Sequence, residues 1–269
     1  MTEGSDEPMK KTCLRVDIPF YGPPLLPGDI HIWWARLDHL GFRLEKHEQV
    51  LAADERARAE RFRFERDRNR FIASRGVLRE ILGCYLGIEP NAVRLTYGKH
   101  GKPKLVEEIV SRNIEFSLSH SEGIALYGFS HDHQIGVDIE YVREVPEMDQ
   151  IAGQFFSEGE KQVLRNLHAR EKMGAFFEYW TTKESVLKAD GRGLFAQMED
   201  VVVKHGRVSL DGTTWFLREL DLGPYYSCHL ATNIELSTVQ MVKIKFEQAE
   251  CYGVGSLKTH GPECCIFSS

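Results

Sequence analysis

No stretch of the 269-residue chain holds the ~20 consecutive apolar residues that a bilayer-spanning helix needs. Apolar stretches such as Ile32–Ala35 and the Phe176–Phe177 neighbourhood are far shorter, which excludes a membrane-embedded chain. The N-terminus, MTEGSDEPMKK, carries acidic residues and lacks an apolar leader region. That argues against secretion and sets the expectation of a cytoplasmic protein with reduced cysteines. The cysteines (Cys13, Cys84, Cys228, Cys251, Cys264, Cys265) include no C-x-x-C pair, so neither a zinc knuckle nor a dithiol redox centre is legible in them. The tail CCIFSS has Ile266 where prenylation requires cysteine. A net charge of −6 lacks the basicity of a duplex-binding domain.

What is present suits an ordinary globular α/β protein: 42% of residues are apolar and 28% charged, enough to bury a substantial core. Residues 1–27, polar and rich in Pro and Gly, read as a flexible lead-in, and 248–269, without periodicity, as a loose tail. Alternating runs predict strands at 30–36 and near 93–97, 114–119, 124–129 and 135–140, and again near 199–203, 207–210, 214–219, 226–232 and 238–246. Helical periodicity covers about 54–86, 157–167 and 171–190. The order of strand, long helix and strands therefore occurs twice, in halves bounded at 28–133 and 134–247. FIASRGVLREILG (71–83) and YWTTKESVLKADG (179–191) match as well, pairing Arg75 with Lys183 and Gly83 with Gly191. The expectation is two α/β halves related by an internal pseudo-twofold, with a ligand cleft between them.

Charge is unevenly spread. Arg56 to Arg79 contains nine arginines against Glu60, Glu65 and Asp67. Clustered guanidinium groups attract phosphate, and Arg66 and Arg70 share one helix face at i, i+4. A solvated helix face is the plain alternative. Nucleic acid is the obvious polyanion, but Phe62, Phe64 and Phe71 are spaced better for a buried stripe than for base stacking, so a small phosphorylated ligand fits better.

Four segments carry chemistry. In QIGVDIEYV (134–142), strand alternation puts Asp138 and Glu140 on one face, able either to bind magnesium or to form the wet side of a half-buried strand. In FFEYWTTKESVLKADGRGL (176–194), Trp180, Glu184 and Lys188 align at i, i+4, i+8, with a surface ion pair as the alternative. FSLSHSEGIALYGFS (116–130) places Ser119, His120 and Ser121 near a turn. No G-x-S-x-G elbow precedes them and adjacent residues on a strand point apart, so a serine hydrolase is rejected. YGKHGKPKL (97–105) forms a turn whose Lys102 can meet a phosphate or simply close a hairpin. Ser157-x-x-Glu160 is a helix capping box.

Taken in order, GKP (101–103), SLSHS (117–121), GVDIE (136–140), FFSEGE (155–160) and WTTKESVLKADGRGL (180–194) resemble the motif series of the 4′-phosphopantetheinyl transferases, of the pseudodimeric surfactin-synthetase-activating type. The resemblance covers about residues 30–245. It implies two similar α/β halves and transfer of the phosphopantetheine arm of coenzyme A to a serine of an apo acyl, aryl or peptidyl carrier protein, releasing adenosine 3′,5′-bisphosphate. By motif match, Asp138, Glu140 and Glu184 hold Mg²⁺ and Lys188 neutralises the pyrophosphate. His120 and Arg66 meet the 3′-phosphate or its surroundings, with Arg70 and Arg75 as further helpers, and Lys102 and Ser119 meet the nucleotide side. Glu184 acts as general base, with Glu160 as competitor. The pseudodimeric type implies a monomer, and charge and run lengths set the expectation of neither nucleic acid nor membrane as partner. A catalytically silent binder of coenzyme A or carrier protein is the alternative.

Overall fold

A computed structural model describes residues 13–16, 24–99, 101–106, 113–191, 198–204, 206–235 and 240–244. Most of the lead-in and the whole of the tail expected at 248–269 lie outside the described residues. The first half contains β1 (Cys13–Val16), β2 (Ile30–Arg36), α1 (Leu44–Val50), α2 (Ala53–Ala59), α3 (Glu65–Leu86), β3 (Leu95–Tyr97), β4 (Pro103–Leu105), β5 (Ile114–Ser121) and β6 (Ile124–His131). The second contains β7 (Ile135–Tyr141), α4 (Met148–Phe155), α5 (Glu158–Asn166), α6 (Ala169–Asp190), β8 (Arg207–Leu210), β9 (Thr213–Glu219), β10 (Tyr226–Thr232) and β11 (Gln240–Ile244).

The arginine-rich segment is two helices, broken between Ala59 and Glu65, where a single stretch was expected. The strand expected near 199–203 is absent. Met198–Asp200 forms a 3-10 turn instead, and the carbonyls of Met198 and Val201 are taken by Lys183 rather than by a neighbouring strand. A strand within the lead-in, β1, was not anticipated; it pairs parallel with β11, which in turn pairs parallel with β2. The last strand of the second half thus belongs to the first sheet, ordered β1-β11-β2-β6-β5, while the second sheet is β7-β10-β9-β8.

The duplication is explicit in the topology. β5-β6-β2 and β9-β10-β7 have the same order and are antiparallel throughout. Both α3 and α6 span 22 residues, and each stops on a left-handed glycine, Gly87 at φ +70 and Gly191 at φ +83, a conformation that a side chain disfavours. Superposing these caps pairs Arg79 with Lys183, one helical turn from the Arg75 match read in the sequence. Residues one turn apart share a face, so basic spacing alone cannot tell Arg75 from Arg79.

Strand alternation sorts the core into layers. Trp33, Tyr127 and Phe129 pack under α3 with Val77, Leu78 and Ile81. Their sequence neighbours Ile30, Ile32 and Leu126 point to the opposite face, where they meet Val137, Ile139 and Leu230 of the second sheet. On the far side of that sheet α6 buries Val186 and Leu187 against Trp215 and Ala231. Each such aliphatic side chain contributes about 1.5–3 kcal/mol on burial. Because the odd-numbered residues of β7 enter the inter-sheet core, its even-numbered residues Gly136, Asp138 and Glu140 face α6. At Gly136 the approach is so close that an added Cβ would overlap the Ser185 carbonyl oxygen and the Ala189 nitrogen. No helix among the described residues is long and apolar enough to cross a membrane.

Candidate active site

A cleft of about 380 Å³ opens between the halves. β5 and β7 form one wall. The serines of SLSHS alternate along β5, and Ser117, Ser119 and Ser121 are all buried. Ser117 Oγ accepts from Val137 N at 3.1 Å, and Ser121 Oγ accepts from Tyr141 N at 3.0 Å while donating to Glu140 Oε2 at 2.9 Å. Ser119 Oγ donates to Asp138 Oδ1 at 2.8 Å. Hydroxyl groups therefore join the edges of the two sheets, and they aim the GVDIE carboxylates into the cleft.

Helix α6 forms the facing wall. Lys188 Nζ lies 2.6 Å from Asp138 Oδ1 and 2.9 Å from Ser119 Oγ. Glu184, one turn earlier, is 2% exposed. Burial, then the nearby Asp138 and Glu140 carboxylates, push its pKa up to about 8 against the pull of Lys188. Burial and Asp138 likewise raise that of Glu140. Asp138 Oδ2 and Glu184 Oε1 are buried with no hydrogen-bond partner. Such desolvated acceptors are costly to leave unsatisfied, and two of them beside a third carboxylate suit a hard cation that binds oxygen. Among the described residues no three His, Cys, Asp or Glu side chains form a preformed metal cage.

The nucleotide-side residues expected from the sequence separate into two groups. Lys102, Ser119 and His120 line the cleft together with Asp138, Glu140, Glu184 and Lys188. Lys102 Nζ donates to the Lys188 carbonyl at 2.7 Å and the Ile135 carbonyl at 3.2 Å, tying the β3–β4 hairpin to the end of α6, and burial lowers its pKa to about 8. His120 reaches solvent at the cleft mouth, yet the surrounding protein, followed by the cations Lys188, Arg75 and Arg58, lowers its pKa. Arg66 and Arg70 lie elsewhere. Arg66 pairs with Asp67 at 3.3 Å, and Arg70 grips Asp38 at 2.7 and 2.8 Å and stands 3.7 Å from Glu122. The arginines that line the cleft are Arg58 and Arg75, and Nη1 of Arg75 is buried without a partner. The nine-arginine run contained both, but spacing alone did not single them out.

Glu160 does not line the cleft. Its Oε2 accepts from Ser157 N and Ser157 Oγ, both at 2.8 Å, and pairs with Lys183 at 3.0 Å.

Two family models match, one on each half: the N-terminal region of 4′-phosphopantetheinyl transferase over residues 42–127, and the 4′-phosphopantetheinyl transferase superfamily over 134–237. Among individual proteins, the 4′-phosphopantetheinyl transferase HetI of Nostoc sp. is 41% identical over 66% of this chain and 75% of its own length. The 4′-phosphopantetheinyl transferases ffp of Bacillus subtilis and gsp of Aneurinibacillus migulanus are each 28% identical, over 65% and 66% of this chain and 79% and 77% of theirs. Duplicated halves, a cleft between them lined by three carboxylates and four cationic side chains, and a relative this similar over three quarters of its length lead to one assignment: the chain belongs to the 4′-phosphopantetheinyl transferase superfamily.

Proposed function

We propose that the protein transfers the 4′-phosphopantetheine arm of coenzyme A to a serine hydroxyl of an apo acyl, aryl or peptidyl carrier protein, as a cytoplasmic monomer and with Mg²⁺. The observation that carries this reading is the convergence of Asp138, Glu140, Glu184 and Lys188 on one cleft, with a buried carboxylate oxygen unsatisfied on each of Asp138 and Glu184. Asp138, Glu140 and Glu184 would hold Mg²⁺, which when bound supplies charge neutralisation at the pyrophosphate.

The chain's own residues account for the remaining steps. Lys188, held at Asp138, gives the pyrophosphate a cation. Arg75, Arg58, Lys102 and His120, which also line the cleft, offer donors to the nucleotide phosphates. The carrier serine oxygen attacks the phosphorus next to the pantetheine, and the bond from that phosphorus to the bridging oxygen breaks. Adenosine 3′,5′-bisphosphate leaves with the electron pair, and the hydroxyl proton passes to Glu184.

Incubating the protein with coenzyme A, Mg²⁺ and a panel of apo carrier proteins tests the proposal. The expected result is a carrier heavier by one phosphopantetheine arm in intact-mass spectrometry. No mass gain on any carrier, with coenzyme A still bound, would leave a silent binder.

A further inference from the structure

The two long helices carry the same buried device. In α6 the wholly buried Lys183 directs Nζ to the Met198 carbonyl at 2.9 Å, the Val201 carbonyl at 2.6 Å and Glu160 Oε2 at 3.0 Å. An ammonium has three N–H groups, and here each has an acceptor. In α3 the equally buried Arg79 directs Nε to Glu55 Oε2 at 2.6 Å and Nη1 to the carbonyls of Pro90 at 3.3 Å and Val93 at 2.7 Å. Each glutamate is the third residue of a short preceding helix and accepts from the backbone nitrogen that begins it, Ala52 N at 3.0 Å or Ser157 N at 2.8 Å. The carbonyls flank matching 3-10 turns, Pro90–Ala92 and Met198–Asp200.

The residue after each cation is an acid, and there the halves diverge. Glu80, after Arg79, faces the cations Arg43 at 3.0 Å and Lys46 at 3.6 Å, with the His47 ring 3.8 Å away. Glu184, after Lys183, faces Asp138 and Glu140 instead. Consecutive helical residues point about 100° apart, so a fixed direction for Lys183 fixes that of Glu184. A buried ion pair seldom stabilises more than apolar side chains of the same volume would, so its value here is geometric.

We propose that Lys183 and Glu160 are positioning residues: their contact locks the turn of α6 that aims Glu184 into the cleft, and Glu160 takes no proton from the carrier serine. This rests on the reading of the cleft as the transferase site. Lys183→Met and Glu160→Gln are each expected to lower kcat on the order of tenfold or more, leaving the KM for coenzyme A within about twofold. Both should also shrink the rise in melting temperature that Mg²⁺ produces, a readout independent of turnover. The double variant should be no slower than the worse single one, because both act through one contact. Lys183→Arg should recover part of the lost kcat, since Arg79 makes the same three contacts in the first half. Arg79→Met/Glu55→Gln should lower the melting temperature comparably with kcat unchanged, any kinetic effect falling on the KM for coenzyme A, because Glu55 stands 3.9 Å from Arg75.

Losses in kcat that multiply, a loss carried by KM, or a Lys183→Arg enzyme as slow as Lys183→Met would overturn the proposal. A Glu160→Gln enzyme far slower than Lys183→Met would make Glu160 the proton acceptor and overturn it too. If Lys183→Met does not fold, Glu160→Gln and Lys183→Arg carry the comparison. A wild-type protein that transfers nothing would sink the transferase reading, while the Mg²⁺-dependent melting shifts would still decide the positioning role.

Discussion

Lys188 reaches across the cleft to Asp138, its Nζ 2.6 Å from Oδ1, while the other carboxylate oxygen of Asp138 has no partner. A helix of the second half thus ties down one oxygen of a three-carboxylate cluster and leaves the other oxygen of Asp138 and one of Glu184 without a hydrogen-bond partner. Lys188→Met removes the neutralising group without touching the acids. Transfer activity should be lost, because the pyrophosphate loses its cation, yet Mg²⁺ should raise the melting temperature more in the variant than in the wild type. An equal Mg²⁺ shift in the two proteins would separate Lys188 from the metal-binding acids.

Gly136→Ala tests how Asp138 and Glu184 are brought together. The added methyl group meets the backbone of α6 at Ser185 and Ala189, which cannot swing aside as a side chain does. Overpacking of this kind costs about 1–3 kcal/mol or more and should push α6 off β7, so stability and transfer fall together. Gly153→Ala is the contrast: it lies within α4, nothing stands within 4 Å of its added Cβ, and it should stabilise by roughly 0.5–1 kcal/mol. Urea denaturation of both variants measures the two effects. A Gly136→Ala protein as stable as the wild type would show that β7 and α6 do not depend on this contact.

Side-chain direction within regular elements was the legible part of the cleft. Alternation put Asp138 and Glu140 on one face, helical spacing put Glu184 and Lys188 on another, and the folded protein turns both into one cavity. A charge run carries no such direction. Arg66 and Arg70 lie on an outward stretch of α3, whereas Arg58 comes from a separate helix beyond a break that the periodicity did not reveal. The three serines of β5 were visible at a period of two, but their partners lie on a strand 19 or 20 residues away in sequence, and only pairing discloses them. The internal repeat was likewise legible in outline. Its register needed the partners of Arg79 and Lys183, because one helical turn brings an equally basic residue into the same place.

Arg75 and Arg66 should respond differently to truncation. Arg75 is 5% exposed, lines the cleft and keeps a buried, unpartnered Nη1, so it is preorganised for an anion. A hydrogen bond to a charged group is worth about 1.5–3 kcal/mol, so Arg75→Ala should raise the KM for coenzyme A by roughly tenfold to a hundredfold. The Arg66 side chain is 66% exposed and pairs with the adjacent Asp67, an arrangement worth little. Arg66→Ala should therefore change KM less. Steady-state kinetics with coenzyme A as the varied substrate checks both, and a larger effect at Arg66 would place the phosphate contact on the outer face of α3.

Acid sensitivity should come partly from His31, remote from the cleft. Trp33 Nε1 donates to the Tyr85 hydroxyl at 2.7 Å, and that hydroxyl lies 2.8 Å from His31 Nδ1. The ring is wholly buried, its Nε2 has no hydrogen-bond partner, and Asp29 is 3.9 Å away. Burial lowers the pKa of His31, outweighing the opposing pull of Asp29. Below about pH 6.5 the unfolded chain binds a proton at this position that the folded protein refuses, so stability is lost as pH falls from there until the folded pKa is reached. The loss from this one group cannot exceed about 1.4 kcal/mol per pH unit. His31→Phe removes the titrating group, with a constant cost from the lost Tyr85 contact. The stability advantage of the wild type over this variant should narrow between pH 6.5 and 5, measured by urea midpoints across the range; parallel pH profiles would mean that His31 is protonated in the folded protein as readily as in the unfolded chain.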